Sequence, residues 1–311
     1  MENNAAPLVS IVVITYNSAP FVIETLESIK AQTYSPLELV VSDDCSTDNT
    51  VDICSRWLAD NGQRFVATRL VTVEKNTGIS PNCNRGVNAA QGEWIKTIAG
   101  DDALEPDAIA RYVQQVQLAP EIRFLYANIK PYINTFEEAN ALPVADISKW
   151  EFNLPQTSRE RQIEILAHEN KVWAATFFFA RNLYLQVGGC DEKYPFFDDK
   201  PLLMRVLNSG HKIYFLNAVT AKYRKSQSSV QLSSKLLSRH VEEVLLYNIT
   251  ELKSIIGKEH HIDDRSHLEA KRLIASLTGN RKNIFTLAAF FLLYYLLRAF
   301  YIAVFSVKKL P

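Results

Sequence analysis

Three short apolar runs narrow the folds open to this chain. Leu8–Thr15 reads Leu-Val-Ser-Ile-Val-Val-Ile-Thr, Leu37–Val41 is almost as apolar, and Trp94–Ala99 reads Trp-Ile-Lys-Thr-Ile-Ala. A β-branched run with no polar face suits a strand covered on both sides, as in a parallel sheet between helix layers. Helical spacing separates the runs, at Phe21, Leu26 and Ile29 and again over Val51–Leu58. A further strand is expected over Phe65–Val73. Strand and helix alternating through the first hundred residues predicts an α/β domain with a largely parallel sheet.

Such sheets collect ligands at the carboxyl ends of their strands. Three polar clusters fall at those ends: Thr15-Tyr16-Asn17, Asp43-Asp44 and Asp101-Asp102, the last turned by Gly100. One Asp after a strand is commonplace, and an Asp pair ahead of Pro106 and Asp107 also reads as a helix cap. Two Asp pairs on one rim, however, repel unless something cationic or rich in hydroxyls sits among them. A nucleotide diphosphate sugar with a divalent cation meets that requirement. No Gly-x-x-x-x-Gly-Lys loop or Gly-x-Gly-x-x-Gly turn follows the first strand, which disfavours P-loop and dinucleotide folds.

Val9–Asn17, Val40–Asp48 and Gly92–Asp102 resemble, in order and spacing, the family 2 glycosyltransferases of GT-A fold. Asn76-Thr77-Gly78 with Asn84-Arg85-Gly86 is similar to that family's connecting segment. The resemblance covers about the first 110 residues. It implies that Thr15, Tyr16 and Asn17 border the nucleotide, Asp44 contacts the base, Asp101 holds ribose or sugar, and Asp102 coordinates Mg²⁺ or Mn²⁺. An acidic residue common in the family is Ala99 here, so metal and sugar contact rests on Asp101 and Asp102. Cys83 stands where an Arg is common; Arg85, two residues on, faces another way if that segment is helical.

The second half continues with a helix and the strand Phe124–Ala127, then a long connection over Lys130–Asn153. A helix over Arg159–His168, a strand over Trp173–Ala180 and a short helix to Val187 follow. Gly188 through Arg205 is a Gly-marked turn, an aromatic loop and an acidic helix start. Capping accounts for Asp198 but leaves Asp199 unexplained. The segment also resembles the family's acceptor-side signature, which makes Asp199 the catalytic base, ahead of Asp198 or Asp191. Phe196 and Phe197 beside the pair would raise a carboxyl pKa toward that of a working base. After a strand over Lys212–Leu216, Tyr223-Arg224 resembles a late Tyr-Arg pair of the family, whose cation would neutralise the departing diphosphate.

Lys+Arg and Asp+Glu balance at 34 each, so no basic field favours nucleic acid. Cys45, Cys54, Cys83 and Cys190 form no Cys-x-x-Cys pair and read as reduced thiols of a cytosolic protein. Met1–Pro7 does not read as a secretory signal. The expected organisation is a catalytic domain over 1–229, a helical extension over 230–283 and a hydrophobic helix over 284–311. In the extension a helix is expected over Leu236–Ile256 and a polar loop over Lys258–Asp264, whose His260-His261 lacks a third ligand.

Ile284–Val307 would span about 36 Å at roughly 1.5 Å per residue, against a bilayer core of about 30 Å. Arg298 interrupts it, and Arg281-Lys282 and Lys308-Lys309 flank it. A helix lying in the membrane interface, a spanning helix, and a helix packed on protein or on a dimer mate all remain open. The expected activity is inverting transfer of a sugar, UDP-linked by expectation, to a glycan or lipid-linked acceptor. The rivals are a sugar nucleotidyltransferase, which would need a Gly-rich basic loop absent here, and a non-catalytic sugar-nucleotide-binding subunit.

Overall fold

The computed structural model describes residues 6–225 and 235–307. The expected boundary at 229–230 and the flanking Lys308-Lys309 lie outside them. The chain divides into two compact units, Met1–Leu166 with Asn170–Ser226 and Ala167–Glu169 with Gln227–Pro311.

The first unit begins with β1 (Val9–Thr15), α1 (Val22–Lys30), β2 (Leu37–Asp43) and α2 (Thr50–Asn61), as its sequence predicts, followed by β3 (Ala67–Val71), α3 (Ile79–Ala89) and β4 (Trp94–Ala99). The two-residue β5 (Ala103–Leu104) precedes α4 (Ala108–Leu118). Then come β6 (Phe124–Ile133), α5 (Arg159–His168), β7 (Phe178–Ala180), α6 (Arg181–Gln186), α7 (Asp199–Asn208) and β8 (Tyr214–Lys225). Eight strands form one sheet in the order β3-β2-β1-β4-β7-β6-β8-β5. β3, β2, β1 and β4 are mutually parallel, β7 runs antiparallel to both β4 and β6, and β6 and β8 are parallel.

Burial explains the parallel half. All seven residues of β2 are buried, as are six of the seven in β1. A polar seam still crosses it: Glu38 of β2 accepts hydrogen bonds from Ser10 Oγ and from the amide of Gln91 (2.7 Å). The mixed half is built on aromatic rings. Phe178 is sandwiched between Trp94 at 5.2 Å and Tyr112 at 4.9 Å, both nearly coplanar with it. Tyr112 Oη donates to Thr176 O (2.7 Å) and lies 2.7 Å from Thr220 Oγ1, so α4 is fastened to two neighbouring segments by one buried hydroxyl.

Several expected elements change. β3 is shorter than Phe65–Val73. β6 runs on to Ile133, into the expected connection, which then folds through short 3₁₀ turns at Glu138–Asn140 and Glu151–Asn153. β7 keeps only the end of Trp173–Ala180, because Ala174–Thr176 forms a 3₁₀ turn whose carbonyls serve Tyr112 and Lys96. The strand expected over Lys212–Leu216 starts at Tyr214 and runs on to Lys225 as one irregular strand, β8, whose register slips against Ala127–Ile129.

The second unit holds α8 (Arg239–Thr250), α9 (Gly257–Thr278) and α10 (Ile284–Val307). Lys258–Asp264 is therefore the opening of α9 rather than a loop. Gly257 (φ 75°) and Gly279 (φ 65°) bound that helix in the left-handed conformation that glycine adopts without strain.

Tyr112→Phe should lower stability by about 1–3 kcal/mol, since it strips a buried carbonyl and a buried hydroxyl of their partner. A urea unfolding midpoint reduced with unchanged slope is the expected result.

Candidate active site

Strand register decides which side chains meet at the sheet edge. Thr15 pairs with Asp43, and Ile14 with Ala99, so β1, β2 and β4 end level. The Asp44 amide donates to Thr15 O (3.0 Å) and the Gly100 amide to Ile14 O (2.9 Å). A Cβ at Gly100 would stand 2.7 Å from Thr15 Cγ2, so the turn carrying Asp101-Asp102 closes over β1 only with glycine there.

Asp102 is buried and Asp101 partly exposed. Burial, then the charge of Asp101, pushes the Asp102 carboxyl well above its usual range; the Arg224 amide, Lys96 and the Arg224 charge resist. Burial likewise raises Asp101. Neither side chain caps α4. Instead, the Arg224 amide donates to Asp102 Oδ1 (2.9 Å), Arg224 Nε to Asp101 O (2.8 Å), and Thr25 Oγ1 to Asp102 O (2.6 Å).

The Arg224 guanidinium also donates to Asn134 O and to Glu24, and lies 4.0 Å from the Phe136 ring and 4.6 Å from that of Phe21. Only 2% exposed, it is a brace beneath the acidic pair, with its donors turned to protein. Lys96 is the second cation. Fully buried in β4, it donates to Thr97 O and to Ala175 O (2.7 Å). Burial brings its ammonium down to about 7, with Asp102 opposing the shift.

Asp44 sits in a different cage. It accepts from the amides of Thr77 (3.0 Å) and Gly78 (2.7 Å), from Thr77 Oγ1 (2.7 Å) and from Arg85 Nη2 (2.6 Å). Arg85 therefore does reach the site. Its helical phase differs from that of Cys83, which is buried, but its longer side chain folds back along α3. Its Nε is buried without a hydrogen-bond partner among the described residues. Thr15 is buried and donates to Asp43 (2.7 Å). Asn17, at φ 51°, joins the first two strand-end loops through Ser46 and Thr47. Tyr16, half exposed, is the ring of that loop open to a ligand.

Asp198 and Asp199 open α7 as a second carboxyl pair. Asp198 makes no side-chain capping bond. Although part of its surface is exposed, it lies deep among protein atoms, and burial followed by the Asp199 charge pushes its pKa up to about 7. Asp199 Oδ2 accepts from Asn170 Nδ2 (2.9 Å). Asp191 is paired with Arg205 at 2.9 Å and accepts the Lys193 amide, which closes the turn ahead of α7.

Short chains of contact join these groups. The start of α3 holds Asp44 on one side and the loop before Asp198 on the other: Ser80 N donates to Pro195 O (3.0 Å) and Ser80 Oγ to Tyr194 O (2.9 Å). Gly78, at φ 102°, lies so close to Pro195 that a Cβ would come within 2.6 Å of its carbonyl oxygen. Asp198 in turn acts electrostatically on Cys83 of α3. Asn170 holds Asp199, and five residues later Ala175 accepts from Lys96, whose charge acts on Asp102. A cavity of about 150 Å³ opens nearby in sequence terms, lined by Asn128, Pro131, Trp173 and Lys225 among others. Asn128 Oδ1 is buried there without a hydrogen-bond partner among the described residues.

Residues 10–180, more than half the chain, match the profile described as Glycosyl transferase family 2. The chain belongs to this family. Glycosyltransferase GlyG of Streptococcus pneumoniae serotype 4 is 25% identical over 252 residues, 78% of this chain and 80% of that protein. Several other curated relatives, 34–38% identical, are matched over only 13–41% of their own length.

Among solved structures, S. aureus TarS 1-349 in complex with UDP-GlcNAc superimposes with a TM-score of 0.58 at 18% identity, covering 92% of this chain and 79% of that one. The mannosyltransferase PcManGT from Pyrobaculum calidifontis, in complex with GDP-Man and Mn²⁺, gives 0.55 at 18%, covering 99% and 77%. The GT-A fold is shared, and the family 2 glycosyltransferase is an enzyme.

Sequence reasoning missed three members of this neighbourhood. Lys96 left a signal, a lone cation inside an apolar strand. Glu24 and Asn170 left none, since each acts through a partner distant in sequence.

Arg224→Met should cost about 2–4 kcal/mol, because it removes the guanidinium donors of Asp101 O, Asn134 O and Glu24 and the buried cation beside the acidic pair. The expected readouts are a lowered unfolding midpoint and weakened nucleotide binding by calorimetry.

Proposed function

We propose that this family 2 enzyme moves a sugar, with inversion, from a nucleotide diphosphate sugar to a hydroxyl of a glycan or lipid-linked acceptor. UDP is the proposed nucleotide. The observation that carries the reading is the pairing of carboxyls, Asp101 with Asp102 and Asp198 with Asp199: burial raises Asp101, Asp102 and Asp198, and the adjacent carboxylate raises Asp102 and Asp198 further. Buried like charges cost free energy in the empty protein and suit a site completed by a cation and a polyhydroxyl ligand. The reading implies a cytoplasmic enzyme working at the inner face of the cell membrane.

Mg²⁺ or Mn²⁺ would share its ligands between the protein and the substrate. No cluster of three or more His, Cys, Asp or Glu occurs among the described residues, so the protein offers no complete cage. A hard cation held by one or two carboxylates and by substrate phosphates does not need one. Asp102, with Asp101 beside it, fits that role: Asp102 Oδ1 is oriented by the Arg224 amide and its charge is only partly balanced. When bound there, the ion would neutralise negative charge on the leaving diphosphate.

The chain's own groups then divide the work. Tyr16 offers a ring to the base, and Asp44, fixed by four donors, bounds the base pocket with Arg85. Asp199, oriented by Asn170, takes the proton of the acceptor hydroxyl as that oxygen bonds to the anomeric carbon and the diphosphate departs. Asp198 supplies a neighbouring charge that changes near neutrality. On the acceptor side, the Trp173 and Asn128 cavity provides an apolar wall and a free carbonyl oxygen, the pairing a sugar ring uses.

Asp199→Asn should lower kcat by about a hundred- to ten-thousand-fold, the usual range for loss of a general base, with donor affinity nearly unchanged. If Asp198→Asn alone has that effect, the base is Asp198. Asp102→Ala should weaken metal-dependent nucleotide binding in a Mn²⁺ titration; an unchanged titration removes Asp102 from the metal role.

A pH prediction follows from Asp198. Its folded pKa of about 7 exceeds the ordinary carboxyl value of 3.8, so between those values the folded chain keeps a proton that the unfolded chain has released. Its contribution to stability is therefore fullest below about pH 4 and is lost as pH rises through about 7. Asp198→Asn should flatten that decline in urea midpoints measured from pH 5 to 8.

A further inference from the structure

Helix α10 is amphipathic in the reverse of the usual sense. Over Ile284–Val304 its covered stripe, Thr286, Phe290, Tyr294, Arg298 and Tyr301, carries every polar side chain except Tyr295. Its open stripe is apolar, with Phe285 82%, Leu292 67%, Leu296 60% and Phe300 59% exposed. A helix facing water turns its polar stripe outward, and an open apolar stripe of this length marks an interaction surface.

The covered stripe is clamped to a charged partner. Arg298 Nε donates to Asp263 of α9 (2.5 Å), and Tyr301 Oη donates to Glu269 of α9. Arg265 stacks on the Tyr301 ring at 4.7 Å, and His267 packs on Phe290 at 5.0 Å. α9 is tied in turn to α8, through Arg272 to Glu242 and through Asn248 to Asp264. If α10 crossed a bilayer, Asp263, Arg265 and Glu269 would enter hydrocarbon with it, at a cost far above that of leaving the hairpin in the interface. The length and composition of α10 alone permit a span; the clamps argue against one.

The geometry points to an anionic bilayer surface as the partner of this face. α10 lies in the membrane plane, immersed by Phe285, Phe291, Leu292, Leu296 and Phe300, while α9 covers it on the aqueous side. Charge favours lipid over a second copy of the chain. From Arg281 to Pro311 the sequence holds five basic residues and no acidic one, so two such segments repel each other whereas acidic headgroups attract both ends. Tyr295, exposed beside the open stripe and amphipathic, suits headgroup depth. This deepens the proposed function by naming the surface at which the enzyme works.

The test uses the full chain without donor or acceptor, so its outcome is independent of the transferase reading. Phosphatidylcholine vesicles containing phosphatidylglycerol should carry the protein upward in a flotation gradient, and pure phosphatidylcholine vesicles should carry much less. The double variant Phe291→Asp with Leu296→Asp should reduce the floated fraction by about tenfold or more, with an unchanged circular dichroism spectrum, since both side chains are exposed. Phe285→Trp, Leu292→Trp and Phe300→Trp, made singly, should each add a fluorescence component quenched alike by lipids brominated near the headgroup. Quenching of Leu292→Trp markedly weaker than that of the other two by these lipids, and stronger by lipids brominated deep in the acyl chains, would indicate a span and overturn the proposal. So would undiminished flotation of the double variant, or a lipid-free dimer that the double variant dissociates while flotation persists.

Discussion

Asp102 is a carboxylate removed from water beside another carboxylate, and the surrounding fold answers the cost of keeping it there. Two buried cations, Lys96 and Arg224, face the pair from different strands, and neither neutralises it fully. Lys96 spends its donors on the carbonyls of Thr97 and Ala175. Arg224 gives its guanidinium to Asp101 O, Asn134 O and Glu24, and only its backbone amide to the Asp102 side chain. The residual charge is what a ligand can use. Had either cation formed a tight bidentate pair with Asp102, the carboxylate would be satisfied and closed to chemistry.

That constraint also accounts for the division of the sheet. The parallel half ends level at Thr15, Asp43 and Ala99, where loops hand over Tyr16, Asp44 and the Asp101-Asp102 turn. The mixed half brings distant residues to the same region. β8 delivers Arg224 from more than a hundred residues away, and the segment before β7 delivers Ala175 to Lys96 and Asn170 to Asp199. One half thus presents the carboxylates and the other holds them in place. The aromatic stack of Trp94, Phe178 and Tyr112 crosses the seam between the halves, and rings stacked at about 5 Å transmit little slack.

How far the sequence revealed this varies by element for physical reasons. β1, β2 and β4 were legible because a buried parallel strand is apolar over its whole length. The family and fold were legible from the strand-end clusters. β7 and β8 were read imperfectly: irregular strands surrender residues to turns and bulges that leave no period. Asp198 shows a different limit. Its position at a helix start suggests a cap, yet the structure gives it no capping bond and pushes it up to about 7. That environment comes from burial, which an adjacent-residue pattern does not encode. Lys258–Asp264 reads as a loop for the opposite reason, since a polar turn of helix looks like a loop until the partner of Asp263 is known.

Arg85 illustrates how far a long side chain can carry its charge from the face of its helix. Counting along a helix turns position 85 about 200° from position 83 at roughly 100° per residue, which would remove a short side chain from the cleft. An arginine carries its charge several bonds from the helix axis, and here it bends back to Asp44, Thr77 and Asn82. Cys83 packs in the interior against Cys190. A small buried residue at 83 and a long cation at 85 thus serve the packing of α3 and the charge beside Asp44 from neighbouring positions.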